Sequence, residues 1–170
     1  KTMDAVIANY RLLTGKSPMM PLYLFGYIQS KERYVSSDDL INTLKQFRQK
    51  QIPVDMIVQD WNYWPDGQWG RMSMNPTFYP DKKKLADEIH AMNAKLMISI
   101  WPNAVNSPQT DDFKQKGLLF NGTTVYDAFN SLGRDLYWNY ANKEFFSNDF
   151  DAWWCDSSEP LDADWKFMDA

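Results

Sequence analysis

The segment FDAWWCDSSEP, residues 150–160, decides the predicted fold. Aromatic and apolar residues lead directly into Asp156, and a polar Ser-Ser-Glu-Pro loop follows. An apolar run with so few breakers is typical of a buried strand. Barrel enzymes often present a catalytic group on a carboxylate at the end of such a strand. Asp156 is therefore the candidate reacting residue, and the tryptophans beside it favour a sugar as the ligand.

Strand-like and helix-like segments alternate through the rest of the chain. The predicted strands cover 22–28, 54–60, 95–101 and 152–156, and the predicted helices cover 4–14, 36–50, 80–92, 111–116 and 132–146. This alternation predicts βαβ units and a parallel sheet. No glycine-rich phosphate loop follows the first strand, and long loops rich in Asp, Trp and Asn follow the others. We therefore expect an α/β fold of the (β/α)8 TIM-barrel type rather than a doubly wound sheet.

The length limits how much of a barrel is present. A whole barrel needs ~250 residues, so this chain of 170 holds about the first four βα units. The predicted organisation is one partial catalytic barrel domain over residues 1–170. Residues 1–20 form a lead-in helix and linker, and residues 21–170 hold strands one to four with their helices.

Composition excludes several classes of partner. The formal net charge is -4, and no basic patch is present, so neither nucleic acid nor a membrane surface is expected as a partner. No apolar run reaches the ~20 residues of a membrane-spanning helix. Aromatic residues make up 16% of the chain, with 8 Trp, which favours a surface that binds carbohydrate.

Cysteine and histidine are scarce. Cys155 is the one cysteine, so an internal disulfide is excluded and the redox compartment stays open. We expect Cys155 to be a small buried residue rather than a nucleophile. His90 has no His or Cys cluster around it in the sequence, so neither a metal nor another cofactor is predicted. The cellular compartment is left open, with a secreted or periplasmic parent protein as one expectation.

Strand periodicity places the candidate residues on one rim. Residues two apart in a strand share a face, so Asp156 and Trp154 lie on one face, while Cys155 and Trp153 face the helices. By the same rule, Asp60 ends the second strand and Trp101 ends the third. The aromatic loop WNYWPDGQWG, residues 61–70, either packs on itself or faces a ligand, and both roles can coexist.

Several segments together carry a family resemblance. They are FGYIQSKERY at 25–34, IPVDMIVQDWNYW at 52–64, FYPD at 78–81, LMISIWP at 96–102 and FDAWWCDSSEP at 150–160. Over nearly its whole length the chain resembles glycoside hydrolase family 31, the α-glucosidase and α-xylosidase family. Residues 4–21 resemble the lead-in to that family's barrel.

The resemblance implies roles for individual residues. Asp156 matches the catalytic nucleophile, and Asp60 matches the carboxylate that binds hydroxyls of the cleaved sugar. Trp101 and Trp154 match walls of that subsite, and Glu159 is expected to support the nucleophile's loop. The implied mechanism retains anomeric configuration by double displacement. The acid/base of the family comes from a later strand, so the fragment alone is expected to be inactive.

Two departures from the α-glucosidase pattern bear on the substrate. Asn62 stands where those enzymes often have a second aspartate, and Ser157-Ser158 follows the nucleophile instead of Met-Asn. The sequences SKERY and WWCDSSEP are closer to the α-xylosidase-like branch. Trp61 could crowd the space that a sugar's hydroxymethyl group needs. We therefore expect hydrolysis of terminal α-linked xylose or glucose from oligosaccharides, with Trp61 in the substrate site favouring xylose.

Two alternatives stay open. One is a non-catalytic carbohydrate-binding module that uses the same aromatic rim, and it would tolerate Asp156→Asn. The other is a βαβ enzyme on a different substrate, which would need a phosphate cradle or a lysine at a strand end. In either case a half barrel leaves sheet edges exposed, so self-association is also expected.

Overall fold

The computed structural model describes residues 2–120 and 122–157. The helices are α1 Met3–Thr14, α2 Ser37–Gln49, α3 Lys82–Ala91, α4 Pro108–Gln115 and α5 Ser131–Glu144. The strands are β1 Ile28–Gln29, β2 Met56–Gln59, β3 Lys95–Ile100 and β4 Ala152–Cys155. Short 3-10 helices cover Leu22–Phe25 and Phe146–Asn148. No helix in the described ranges is both long enough and apolar enough to cross a membrane.

The four strands form one parallel sheet in the order β1-β2-β3-β4. Each strand therefore lies beside its neighbour in sequence, as in the wall of a βα barrel. The predicted α/β fold with four parallel strands is confirmed. Because the strands run in the same direction, their carboxyl ends meet along one rim.

Capping side chains fix where the helices begin. Ser36 Oγ accepts a hydrogen bond from the Asp39 N–H at 3.2 Å, and Asp81 Oδ1 accepts one from the Lys84 N–H at 2.9 Å. Ser107 does the same for α4, with Pro108 in the first turn. Each cap satisfies an amide that has no partner within its helix. Helix α3 therefore begins at Lys82, two residues later than predicted. Helix α4 begins at Pro108, three residues earlier than predicted.

The hydrophobic core lies between the sheet and the helices. Ile57 of β2 and Ile98 of β3 are fully buried in the same cluster as Leu44 of α2 and Ile89 of α3. Val58 is also fully buried but lies outside that cluster, as expected for the opposite face of the strand. The two faces of the sheet therefore separate as the sequence periodicity predicted.

The first predicted strand is wrong over most of its length. Residues 22–25 form a 3-10 helix, and β1 is only Ile28–Gln29. Pairing with β2 begins at Ile28, opposite Met56. A close approach at Gly26 precedes it, since a Cβ there would lie 2.0 Å from Asp55 Oδ2. That oxygen accepts a hydrogen bond from the Tyr27 N–H at 3.1 Å, which fixes the turn into the strand.

Helix α1 forms as predicted but buries none of its residues in the described chain. Thr2 caps it through the Ala5 N–H at 3.3 Å. Its apolar side chains Val6, Ile7 and Tyr10 are 55–65% exposed.

A charged cluster lies at the amino ends of β3 and β4, opposite the rim formed by their carboxyl ends. Asp151 accepts hydrogen bonds from the Leu96 N–H at 2.9 Å and from Lys95 Nζ at 2.8 Å. His90 Nε2 lies 2.7 Å from Asp151 Oδ2, the oxygen that also accepts the Leu96 N–H. Burial raises the pKa of Asp151, but these hydrogen bonds outweigh it and the pKa is lowered overall. His90 is therefore structural, far from the rim.

Candidate active site

Asp156 lies at the carboxyl end of β4 and is half-buried. Its N–H donates to the Ile100 carbonyl at 2.9 Å, which continues the β3–β4 ladder one residue beyond the strand. Its Oδ1 accepts a hydrogen bond from the Ser157 N–H at 2.8 Å. Backbone pairing thus fixes the position of the residue, while one local contact orients its carboxylate.

Strand register places the other candidates beside Asp156. Ser99 pairs with Trp154, and Gln59 pairs with Ile98, so Asp60 is level with Ser99. Asp60, Ser99 and Trp154 therefore form one row across the barrel-facing side. Asp156 lies one step higher on β4, on the same face as Trp154. Because β2 and β4 are two strands apart and Asp156 lies two residues further along, the two aspartates stand on backbones roughly 12 Å apart.

Asp60 is half-buried and its backbone is held by a buried polar network. Gln59 Nε2 donates to the Asp60 carbonyl at 2.7 Å and to the Tyr34 carbonyl at 3.2 Å. The Tyr79 hydroxyl donates to the same Tyr34 carbonyl at 2.6 Å. Burial raises the pKa of Tyr79, so the hydroxyl keeps its proton as a donor. Asp60 Oδ1 accepts from the Trp61 N–H at 2.8 Å.

The two tryptophans of the third and fourth strands differ in accessibility. Trp154 is 43% exposed, whereas Trp101 is only 2% exposed. The Trp101 ring packs edge-on against Trp64, with ring centroids 5.2 Å apart, and is tilted against Trp69 at 5.7 Å, under the loop that follows β2. Trp61 is partly buried against the same core. A substrate contact for Trp101 stays a prediction, and little of its ring is open in this structure.

Two loops are joined above the rim. The Val105 N–H donates to the Trp69 carbonyl at 2.8 Å, and the Met72 N–H donates to Gln109 Oε1 at 2.9 Å. Gly70 permits this approach, because a Cβ there would lie 2.4 Å from the Asn103 carbonyl oxygen. The aromatic loop at residues 61–70 thus packs on itself and on its neighbour, which is one of its two predicted roles.

Tyr63 and Ser99 also build the site, although the sequence did not single them out as functional. Tyr63 is fully buried, and its hydroxyl donates to the Ser99 carbonyl at 2.8 Å. Burial raises the pKa of Tyr63 well above the usual value, which keeps this donor protonated. The position of Ser99 on the barrel face of β3, two residues before the end of the predicted strand, was the available signal.

The predictions for Cys155, Trp153 and Glu159 have different outcomes. Cys155 was predicted to be buried, and this is wrong, because it is exposed on the outermost strand of the described sheet. Trp153 does face the helices as predicted, at 6.1 Å from Phe145. Glu159 lies outside the described residues. Within those residues, no three His, Cys, Asp or Glu side chains group as metal ligands would.

Comparison with known proteins identifies the family of the chain. The sequence profile described as "Glycosyl hydrolases family 31 TIM-barrel domain" matches residues 17–169. An α-xylosidase of Saccharolobus solfataricus is 42% identical over 160 residues, which covers 94% of this chain and 22% of that protein. The chain therefore belongs to glycoside hydrolase family 31.

Solved structures agree with this assignment. A family 31 α-xylosidase from Xanthomonas citri superposes with a TM-score of 0.85 at 35% identity, covering 92% of this chain and 19% of that one. A family 31 α-xylosidase from a soil metagenome, solved with xylose, gives 0.78 at 30% identity over 86% of this chain and 24% of that one. The chain thus spans about a fifth of the length of these relatives. It is a partial family 31 TIM-barrel domain, similar to α-xylosidases.

Proposed function

We propose that the full-length parent protein is a retaining α-glycosidase that removes terminal α-linked xylose from oligosaccharides, with Asp156 as its nucleophile. The observation that carries the proposal is the position of Asp156 at the carboxyl end of β4, on the same rim of the sheet as Asp60, which follows β2. Catalytic groups of βα barrels stand at that end of the strands. The family membership and the α-xylosidase relatives support the same chemistry.

The reaction proceeds in two displacements. A carboxylate oxygen of Asp156 attacks the anomeric carbon while the bond to the leaving oxygen breaks. A carboxylic acid from outside this chain gives its proton to that oxygen. The product is a glycosyl ester on Asp156 with inverted configuration. Water, deprotonated by the same outside residue, then attacks the anomeric carbon and releases the sugar with its original configuration.

Asp60 and the tryptophans would bind the sugar before the attack. A carboxylate accepts hydrogen bonds from sugar hydroxyls, and Asp60 lies on the strand two away from Asp156. The accessible Trp154 ring offers an apolar face to the carbons of the sugar. Oligosaccharide is therefore the partner that this rim fits best.

Trp61 is the basis for preferring xylose over glucose. It follows Asp60 directly, and its packing against the core leaves it partly exposed beside the rim. An indole fixed there would occupy the space of a C6 hydroxymethyl group, which xylose lacks. Hydrolysis of aryl α-xyloside and aryl α-glucoside by the parent protein tests this, and we expect a higher kcat/KM for the xyloside. A clear glucoside preference would contradict the choice of xylose without affecting the reaction class.

The fragment itself is proposed to lack turnover. The outside acid/base residue is needed both to protonate the leaving group and to activate water. Incubation of the isolated chain with an activated α-glycoside should therefore label Asp156 slowly at most. Multiple turnover at enzyme-like rates would contradict the placement of that residue outside the chain.

The second candidate is a carbohydrate-binding module, favoured only by the aromatic rim. It differs from the enzyme in the role of Asp156. A binder should keep its sugar affinity and have no hydrolytic activity to lose in Asp156→Asn. The parent enzyme should lose at least ~1,000-fold in kcat/KM, the scale expected for a missing nucleophile.

A further inference from the structure

Two serine hydroxyls are buried without a hydrogen-bond partner among the described residues, at Ser37 and Ser99. Ser99 is 0% exposed. A buried hydroxyl that makes no hydrogen bond destabilises a fold, and most such groups in proteins do have partners. The two serines lie in different layers of the fold. Ser37 begins α2 in the helix layer, whereas Ser99 stands on the barrel face of β3.

The neighbours of Ser99 on that face are the candidate site residues. Trp154 pairs with it on β4, and Asp60 is level with it beyond the end of β2. The backbone carbonyl of Ser99 already accepts the Tyr63 hydroxyl at 2.8 Å, so only the side chain lacks a partner. The hydroxyl is nevertheless out of contact with solvent.

One carboxylate oxygen of Asp60 can accept a further hydrogen bond. Its Oδ1 accepts the Trp61 N–H, while its Oδ2 has no hydrogen-bond donor in the part of the chain that is described. Neighbouring strands are ~4.8 Å apart, so rotation about the short side chains can bring Ser99 Oγ within hydrogen-bond distance of Asp60 Oδ2.

We propose that Ser99 is a positioning residue, whose hydroxyl donates to Asp60 Oδ2 when a sugar occupies the site. With both oxygens held, by Ser99 and by the Trp61 N–H, the carboxylate would present its remaining lone pairs to the sugar hydroxyls. Ser99 does not itself touch the sugar. The inference rests on the proposed function, since it gives Asp60 a ligand to bind.

The proposal makes stability and binding respond differently to one substitution. Ser99→Ala in the parent protein removes a hydroxyl that has no partner in the free protein, so its melting temperature should stay the same or rise. The KM for aryl α-xyloside should rise roughly 10-fold, the scale of one hydrogen bond to a charged group, with kcat within about 2-fold. Ser37→Ala deletes the same group in the helix layer and should leave KM unchanged.

A double-mutant cycle with Asp60→Asn tests whether Ser99 acts through Asp60. The KM effect of Ser99→Ala should largely vanish in the Asp60→Asn background, because residues that act through one contact are not additive. An equal effect in both backgrounds would overturn the proposal. So would a Ser99→Ala variant that is less stable, or does not fold, while Ser37→Ala folds normally. If the wild-type parent protein cleaves no α-glycoside, that result contradicts the proposed function, and the role of Ser99 falls with it.

Discussion

The Glu144 carboxylate of α5 accepts a hydrogen bond from the Met74 N–H at 2.6 Å, although 70 residues separate them in sequence. The same oxygen lies 3.1 Å from Lys82 Nζ at the start of α3. The Glu144 side chain is only 13% exposed. One carboxylate therefore joins the loop that follows β2 to the two helices α3 and α5.

Removing this carboxylate should destabilise the loop. Glu144→Ala leaves a buried N–H and a half-covered ammonium group without their partner, at a cost of about 1–3 kcal/mol. We expect a lower melting temperature of the parent protein. Glu88→Ala is the matched control, because its pair with Lys84 is 3.8 Å long and exposed. That control should change stability by less than about 0.5 kcal/mol. Equal effects of the two variants would show that the contact with Met74 does not stabilise the loop.

Two glycines of the same loop give a second matched pair. Gly70 and Gly67 both have a φ of 73°, a region in which an L side chain is strained. A Cβ at Gly70 would also lie 2.4 Å from the Asn103 carbonyl oxygen, whereas Gly67 has open space. Gly67→Ala should cost about 1 kcal/mol, and Gly70→Ala clearly more, with a raised KM. Melting curves and xyloside kinetics measure both, and a Gly70→Ala variant no worse than Gly67→Ala would refute the close approach of the two loops.

Acid should weaken the cluster around Asp151. The folded-state pKa of Asp151 is lowered by Lys95, the Leu96 N–H and His90 against the opposing effect of burial. A lowered carboxyl pKa stabilises the fold above the unfolded pKa of about 3.9, and that stability is lost as pH falls through the folded pKa. Asp151→Asn should therefore reduce the free energy of unfolding at pH 7 by roughly 2 kcal/mol, which appears as a lower melting temperature.

The same variant should approach the wild type in stability as the pH falls below about 3.9. Asp149→Asn serves as the control, since the Asp149 side chain is 57% exposed in its pair with Lys83. Melting temperatures of the three proteins from pH 7 downwards make the comparison. A gap between wild type and Asp151→Asn that does not narrow in acid would contradict the linkage.

The sequence predicted the second, third and fourth strands because long apolar runs end at a carboxylate or a tryptophan at each of them. It also predicted which residues share a face, since a period of two needs no knowledge of the tertiary fold. The first strand failed because the apolar run at residues 22–25 fits a single 3-10 turn as well as a strand. The pairing partner at Met56, 28 positions away from Ile28, decides between the two.

The burial of Trp101 could not be predicted for a different physical reason. It depends on rings from the loop after β2 closing over the end of β3, through contacts such as that of Trp69 with Val105. Those contacts join segments distant in sequence. Likewise, the exposure of Cys155 follows from the place of β4 at the edge of the described sheet, which residue type alone does not determine.

The most direct test of the account is covalent trapping of the nucleophile. The parent protein would be treated with 5-fluoro-α-xylosyl fluoride, an activated sugar whose ring fluorine slows breakdown of the glycosyl-enzyme. Peptide mapping by mass spectrometry then locates the label. We predict one fluoroxylosyl group per molecule, as an ester on Asp156, with activity lost in proportion to labelling. A label on another carboxylate, or inactivation without any label on Asp156, would contradict its role as the nucleophile.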